Sequence, residues 1–150
     1  MMTAALFACI MSVSQYHGVP PAVVYAIRQQ EGGQVGKISR NKNGSYDIGP
    51  MQINNRAWLD DLSERWGMPK SQVEQIILHN ECANIEAATW ILAGRVRMTG
   101  DLWKGVAAYH SFTPKYSGPY LEKVVSRIRA NISVQQKQIE LLRRRMEPRS

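Results

Sequence analysis

No stretch of the 150-residue chain is apolar for long enough to cross a bilayer, which takes about 20 consecutive residues. Cysteine is scarce: Cys9 and Cys82 are the two present, far apart, and no Cys-x-x-Cys or Cys/His spacing points to a metal. Histidine is nearly as rare, and His17, His79 and His110 share no motif. No Ser/His/Asp set stands out for nucleophilic catalysis, and the phosphate-cradling GxxxxGK[ST] pattern is missing. Alternation of period two is never sustained, so an all-β architecture is excluded. Internal repeats and low-complexity segments are also lacking.

Acidic residues are short only at one end. Residues 1–114 hold ten Lys/Arg and nine Asp/Glu, whereas residues 115–150 hold nine and three. The net charge of +7 is therefore carried almost entirely by the C-terminal end. A nucleic-acid-reading core would cluster base across its face, and this chain does not. An apolar fraction of 44% in 150 residues fits one ordinary globular domain with a sizeable core.

What is present reads as a series of helices. Residues 3–17 repeat apolar side chains at Leu6, Ile10 and Val13, and Gly18 ends the run. The apolar start, Thr3 to Met11, has no preceding Lys or Arg and no A-x-A site. It therefore reads as the first turns of a folded helix, with no clear signal peptide. Pro21 suits the first position of a second helix reaching Glu31, whose broad apolar face (Val23, Val24, Ile27) implies burial. Gly32 to Tyr46 reads as a polar loop, and Asp47 to Asn54 as a short extended or turn-like segment. Asn54 is a good N-cap for a helix from Asn55 to Trp66. After Gly67-Met68-Pro69, Ser71 begins a further helical turn or two. Cys82 to Met98 is the clearest helix, followed by a helix from Leu102 to Tyr109. Ser111 to Pro119 reads as a second polar loop. Tyr120 to Met146 keeps an apolar stripe (Leu121, Val124, Val125, Ile128, Ile132, Ile139, Leu142, Met146). Its part beyond Asn131 is an amphipathic basic extension suited to a solvated docked helix, a partner or a membrane surface. The fold class is mostly α.

Glu31 is the residue around which chemistry gathers. It lies at the C-terminal end of a buried helix, where dipole and burial both favour the protonated acid. Such a group suits general acid–base work near neutral pH. Asp47 is the candidate second carboxylate of a glycosidase-like pair. Asp60, Asp61 and Glu64 read as surface charge. Loops rich in Asn, Gln and Ser, with several aromatics, suit a carbohydrate groove. The two cysteines read equally well as free thiols or as one disulfide.

Four segments in order resemble one family. They are VPPAVVYAIRQQEGG, NKNGSYDIGPMQIN, ECANIEAATWILAGRV and VAAYHSFTPKYSGPYLEKV, together spanning residues 19 to about 125. They look like the goose-type-lysozyme-like (SLT domain) lytic transglycosylases, in the branch found beside type IV secretion, conjugation and type III secretion machines. The resemblance implies a lysozyme-like single domain over residues 1–130 and a C-terminal helical extension over 131–150. It implies Glu31 as the catalytic acid/base, with Ser45, Met51, Gln52, Asn54, Tyr109 and Tyr120 binding substrate or supporting the acid. It also implies a Cys9–Cys82 disulfide, a periplasmic location and peptidoglycan glycan strands as substrate. Components of a secretion or conjugation machine would be partners of the extension, and no nucleic acid, metal or organic cofactor is implied. The implied reaction cleaves the MurNAc–GlcNAc bond without water, giving 1,6-anhydro products. A hydrolytic lysozyme using Asp47, a non-catalytic peptidoglycan-binding protein and a tail that binds nucleic acid or membrane are the alternatives. Three departures from the family pattern stand out. Gly32 replaces a common Ser, His110-Ser111 replaces Asn-Ala, and no acid precedes Tyr120.

Overall fold

The computed structural model describes residues 2–149. Met1 and Ser150, the outer ends of the two expected segments, lie outside the described residues. Helix α1 (Ala4–His17) begins where the Thr3 hydroxyl accepts a 3.1 Å hydrogen bond from the Leu6 amide. That satisfies one of the amides a helix start leaves unpaired. Leu6, Cys9, Ile10 and Val13 form its buried face. Helix α2 (Pro21–Glu31) buries Val23, Val24, Ala26 and Ile27, a face too broad for a surface helix. Gly32, with φ +66°, adopts the left-handed conformation that ends α2 directly after Glu31.

The run Gly32 to Tyr46, expected as loop throughout, contains strand β1 (Ile38–Arg40). It pairs antiparallel with β2 (Tyr46–Ile48), which pairs antiparallel with β3 (Ile53–Asn54). All three β1 residues are exposed, so no alternation of polarity announces the strand. Asp47 stands opposite both Ser39 and Asn54 at the centre of this small sheet.

Asn54 caps α3 (Asn55–Trp66), accepting from the Ala57 amide. Helix α4 (Lys70–His79) is longer than the turn or two expected. Helices α5 (Glu81–Thr99) and α6 (Leu102–His110) start at the side-chain caps Asn80 and Asp101. The second expected loop shrinks to Ser111–Thr113, because α7 (Pro114–Met146) begins at Pro114. Pro114 supplies a preset φ at the first helical position. Pro119 lies inside the helix but withholds only the bond to the exposed Lys115 carbonyl, one turn from the helix start.

Helix α5 is the axis of the fold, packing against α1, α4 and α6, while α2 packs against α7. The Cys9–Cys82 disulfide ties α1 to the start of α5. Glu86 of α5 accepts from both His17 of α1 and Arg65 of α3. Tyr120 and Val124 anchor α7 in the core. Ile132 and Gln135 still line a hollow against α1 and α2, and farther along the helix Ile139, Leu142 and Met146 are exposed. Among the described residues no helix is long and apolar enough to cross a membrane.

Candidate functional site

Glu31 ends a helix whose core face is buried, and its carboxyl opens on a groove of about 400 Å³. Burial lifts its pKa from 4.5 to about 7, the nearby Asp47 charge adds to the rise, and a hydrogen bond from Tyr120 opposes it. The Tyr120 hydroxyl donates that bond to Oε1 over 2.9 Å. Gly32, the next residue, has no side chain to offer a second bond. Tyr120 is itself stacked on His110, with ring centroids 4.5 Å apart and planes at 6°. Burial, then the charge of Lys123, pushes the His110 pKa down, which favours the neutral ring.

The floor is the turn from Gly49 to Gln52. Its position is set by Asn84 of α5, which is fully buried. Asn84 Oδ1 accepts from the Met51 amide at 2.9 Å, and Nδ2 donates to the carbonyls of Ile48 and Ile77, each at 2.9 Å. The end of α2 presses on this turn. The Gly33 amide donates to the Pro50 carbonyl at 3.3 Å, and a β-carbon on Gly33 would lie 1.9 Å from the Gly49 carbonyl oxygen. Only glycine fits there. Gln52 has φ +54°, the one left-handed non-glycine among the described residues. Such backbone costs on the order of 1–2 kcal/mol and persists only where surroundings enforce it. The Gln52 amide nitrogen donates to the Gly49 carbonyl at 3.0 Å, which fixes the side chain along the groove.

One wall comes from the sheet. Asn54 Nδ2 donates to Asp47 Oδ1 at 3.0 Å and to Ser45 Oγ at 3.1 Å, while its oxygen caps α3. Ser45 is buried and also bonds Asn43 and Asn41, so it bears on the groove through Asn54. The opposite wall is Tyr109, whose hydroxyl donates to the Met51 carbonyl at 2.9 Å. Burial, then the charges of Glu31 and Asp47, raises the Tyr109 pKa well above its ordinary value, so the phenol stays neutral.

The structure thus brings Glu31, Asp47, Gln52, Asn54 and Tyr109 onto one groove. Ser45, Met51 and Tyr120 stand behind it. The Met51 side chain is core, and its backbone is what holds the turn. His110 also lines the groove, together with Trp58, Arg95 and Phe112, which sequence reasoning did not single out. Asn84 was visible only as part of a Cys-x-Asn-Ile string, with no hint of its three bonds. Among the described residues no group of three His, Cys, Asp or Glu is placed to hold a metal. A carboxyl titrating near neutrality can donate and then accept a proton, and the groove's amides and rings suit sugar hydroxyls and faces.

Comparison with known proteins agrees. Residues 8–115 match the family model of the transglycosylase SLT domain. Over 111 residues the chain is 30% identical to invasion protein IagB of Salmonella typhimurium, a match covering 73% of this chain and 66% of that one. Over 106 residues it is 26% identical to protein IpgF of Shigella flexneri, covering 70% of this chain and 66% of the relative. The chain therefore spans just under two thirds of the length of these relatives.

Proposed function

The chain belongs to the transglycosylase SLT domain family, and from that membership we propose that it is a peptidoglycan lytic transglycosylase working through Glu31. Its mostly α, lysozyme-like fold with a C-terminal helical extension is that of the family. The observation that carries the proposal is the buried Glu31 carboxyl, held by Tyr120, with a pKa of about 7 on a groove lined with amides and aromatic rings.

Protonated Glu31 donates to the glycosidic oxygen between N-acetylmuramic acid and N-acetylglucosamine. The N-acetyl group of the muramyl sugar assists at the anomeric carbon. Ionised Glu31 then accepts the proton of the sugar's C6 hydroxyl, which closes onto C1 and gives a 1,6-anhydro product without water. A pKa near 7 lets one carboxyl play both parts at neutral pH. Gln52, Asn54 and Tyr109 orient the sugars, with Met51 and Ser45 fixing the floor and wall behind them.

A second reading, hydrolysis, is favoured by one observation: Asp47 lines the same groove with its carboxylate held by Asn54. Asp47 would then guide a water or attack the anomeric carbon. The disulfide and a cell-wall substrate support a periplasmic site of action. One relative bears the name of an invasion protein, which fits local opening of the wall for a secretion or conjugation machine. In this reading residues 1–130 are the enzyme, and 131–150 contact that machine through exposed apolar and arginine side chains. Truncation after residue 130 should leave digestion of isolated peptidoglycan intact, and loss of folding would refute that division.

Digestion of purified peptidoglycan tests the central assignment. Glu31→Gln should lose about a hundredfold or more in rate, the usual share of an acid–base group. Unchanged turnover would remove Glu31 from the chemistry.

A further inference from the structure

We infer that Arg95 forms a carboxylate-binding subsite beside the cleavage site, which favours glycan strands bearing acidic substituents. The inference rests on the peptidoglycan reading above and assigns a part of the substrate that the neutral groove residues leave unread.

Arg95 lies on α5 with its guanidinium between two rings. The Trp58 ring of α3 is 4.8 Å from it and the Phe112 ring, in the short connection before α7, is 4.6 Å away. Its Nε is buried without a hydrogen-bond partner. No carboxylate pairs with it among the described residues, whereas the inward-facing Arg28 and Arg65 are paired with Glu81 and Glu86. A buried donor left unpaired costs about 1–3 kcal/mol, a cost that a ligand accepting from this guanidinium would offset. The planar guanidinium fork matches a carboxylate, and two flanking rings restrict it so that little freedom is lost on binding.

Position supports the assignment. Arg95, Trp58, Ala57 and Ile91 line the groove that holds Glu31, and they also line a second hollow of about 390 Å³ next to it. Arg95 is therefore in the wall shared by the two. A sugar bound against Glu31 could send a substituent over that wall onto the guanidinium. In peptidoglycan such a substituent carries carboxylates in two ways. One is the lactyl group of a muramic acid without peptide, and the other is the peptide stem itself. The carboxylate is common to both.

The test uses soluble strands from one preparation in four forms: peptide-bearing and peptide-free, each native and with carboxyls converted to methylamides. Wild type should show a KM about tenfold higher on the methylamidated strands, the worth of one good charged hydrogen bond. Arg95→Gln should raise KM about tenfold on native strands, leave it unchanged on methylamidated ones, and hold kcat within about twofold. Arg95→Lys, keeping charge without the fork, should fall between. The effect in the peptide-free pair assigns the lactyl carboxylate, which is free only there, and the effect in the peptide-bearing pair assigns the stem. Equal weakening of Arg95→Gln on native and methylamidated strands would reduce Arg95 to a staple between two rings. If that variant does not fold, wild type decides, and indifference to methylamidation overturns the subsite. If wild type cleaves nothing, the function reading fails separately. Cosedimentation with native and methylamidated sacculi then decides the subsite, and equal binding overturns it.

Discussion

The Tyr120 hydroxyl donates a 2.9 Å hydrogen bond to Oε1 of Glu31, joining α7 to the end of α2 across 89 positions of sequence. The bond stabilises the ionised carboxylate and so opposes the burial that lifts Glu31 to about 7. Tyr120→Phe removes the donor and keeps the ring against His110. The Glu31 pKa should then rise further, moving the high-pH limb of the activity profile upward. A pH–rate comparison of the two proteins checks this, and coincident limbs would contradict it.

The raised pKa also bears on stability. Glu31 titrates at about 7 in the fold against an ordinary 4.5, so the folded state holds this proton more tightly than the unfolded chain. Its contribution is fully present below about pH 4.5 and is lost as pH climbs through about 7. Glu31→Gln escapes that loss and should be more stable than wild type above neutrality by ~1–3 kcal/mol. Near pH 4 the difference should shrink to almost nothing. Denaturant melts at both pH values measure it, and a pH-independent difference would show that burial does not burden this carboxyl.

Asn84 is the hub under the groove. Asn84→Ala deletes three hydrogen bonds and strands the Met51 amide and the Ile48 and Ile77 carbonyls. Unpaired buried groups of this kind cost about 1–3 kcal/mol each, less whatever water recovers. A stability loss of about 2–4 kcal/mol is expected, with activity falling further than stability because Gln52 is released from its strained turn. A variant that melts lower yet digests peptidoglycan at the full rate would show that the turn does not depend on Asn84.

Much of this was legible in the chain. Asn54, read as an N-cap, does cap α3. Glu31 stood out as an acid at the C-terminal end of a buried helix, where dipole and burial favour the protonated form. Strand β1 did not stand out, since three exposed residues carry no pattern. Pro119 suggested a loop because proline opposes helix interiors, yet one turn from the start only one exposed bond is withheld. Trp58, Arg95 and Phe112 gave no local signal either. They come from α3, α5 and the α6–α7 connection, and only packing brings them together.

The disulfide should matter in proportion to the loop it closes. Cys9 and Cys82 are 73 positions apart, for which the chain-entropy estimate is about 4 kcal/mol. Replacing both by serine should lower the melting temperature while leaving the Glu31 groove intact, since neither cysteine lines it. Calorimetry paired with a digestion assay checks both halves. An unchanged melting temperature would mean that the bridge adds nothing to the packing of α1 on α5.

The most direct measurement is a mass-spectrometric reading of the products that wild type and Glu31→Gln release from purified peptidoglycan. A lytic transglycosylase acting through Glu31 should give anhydromuropeptides, lighter than the hydrolysed form by one water, and the variant should give essentially none. Reducing-end products from wild type would contradict the account and move the chemistry to a water guided by Asp47.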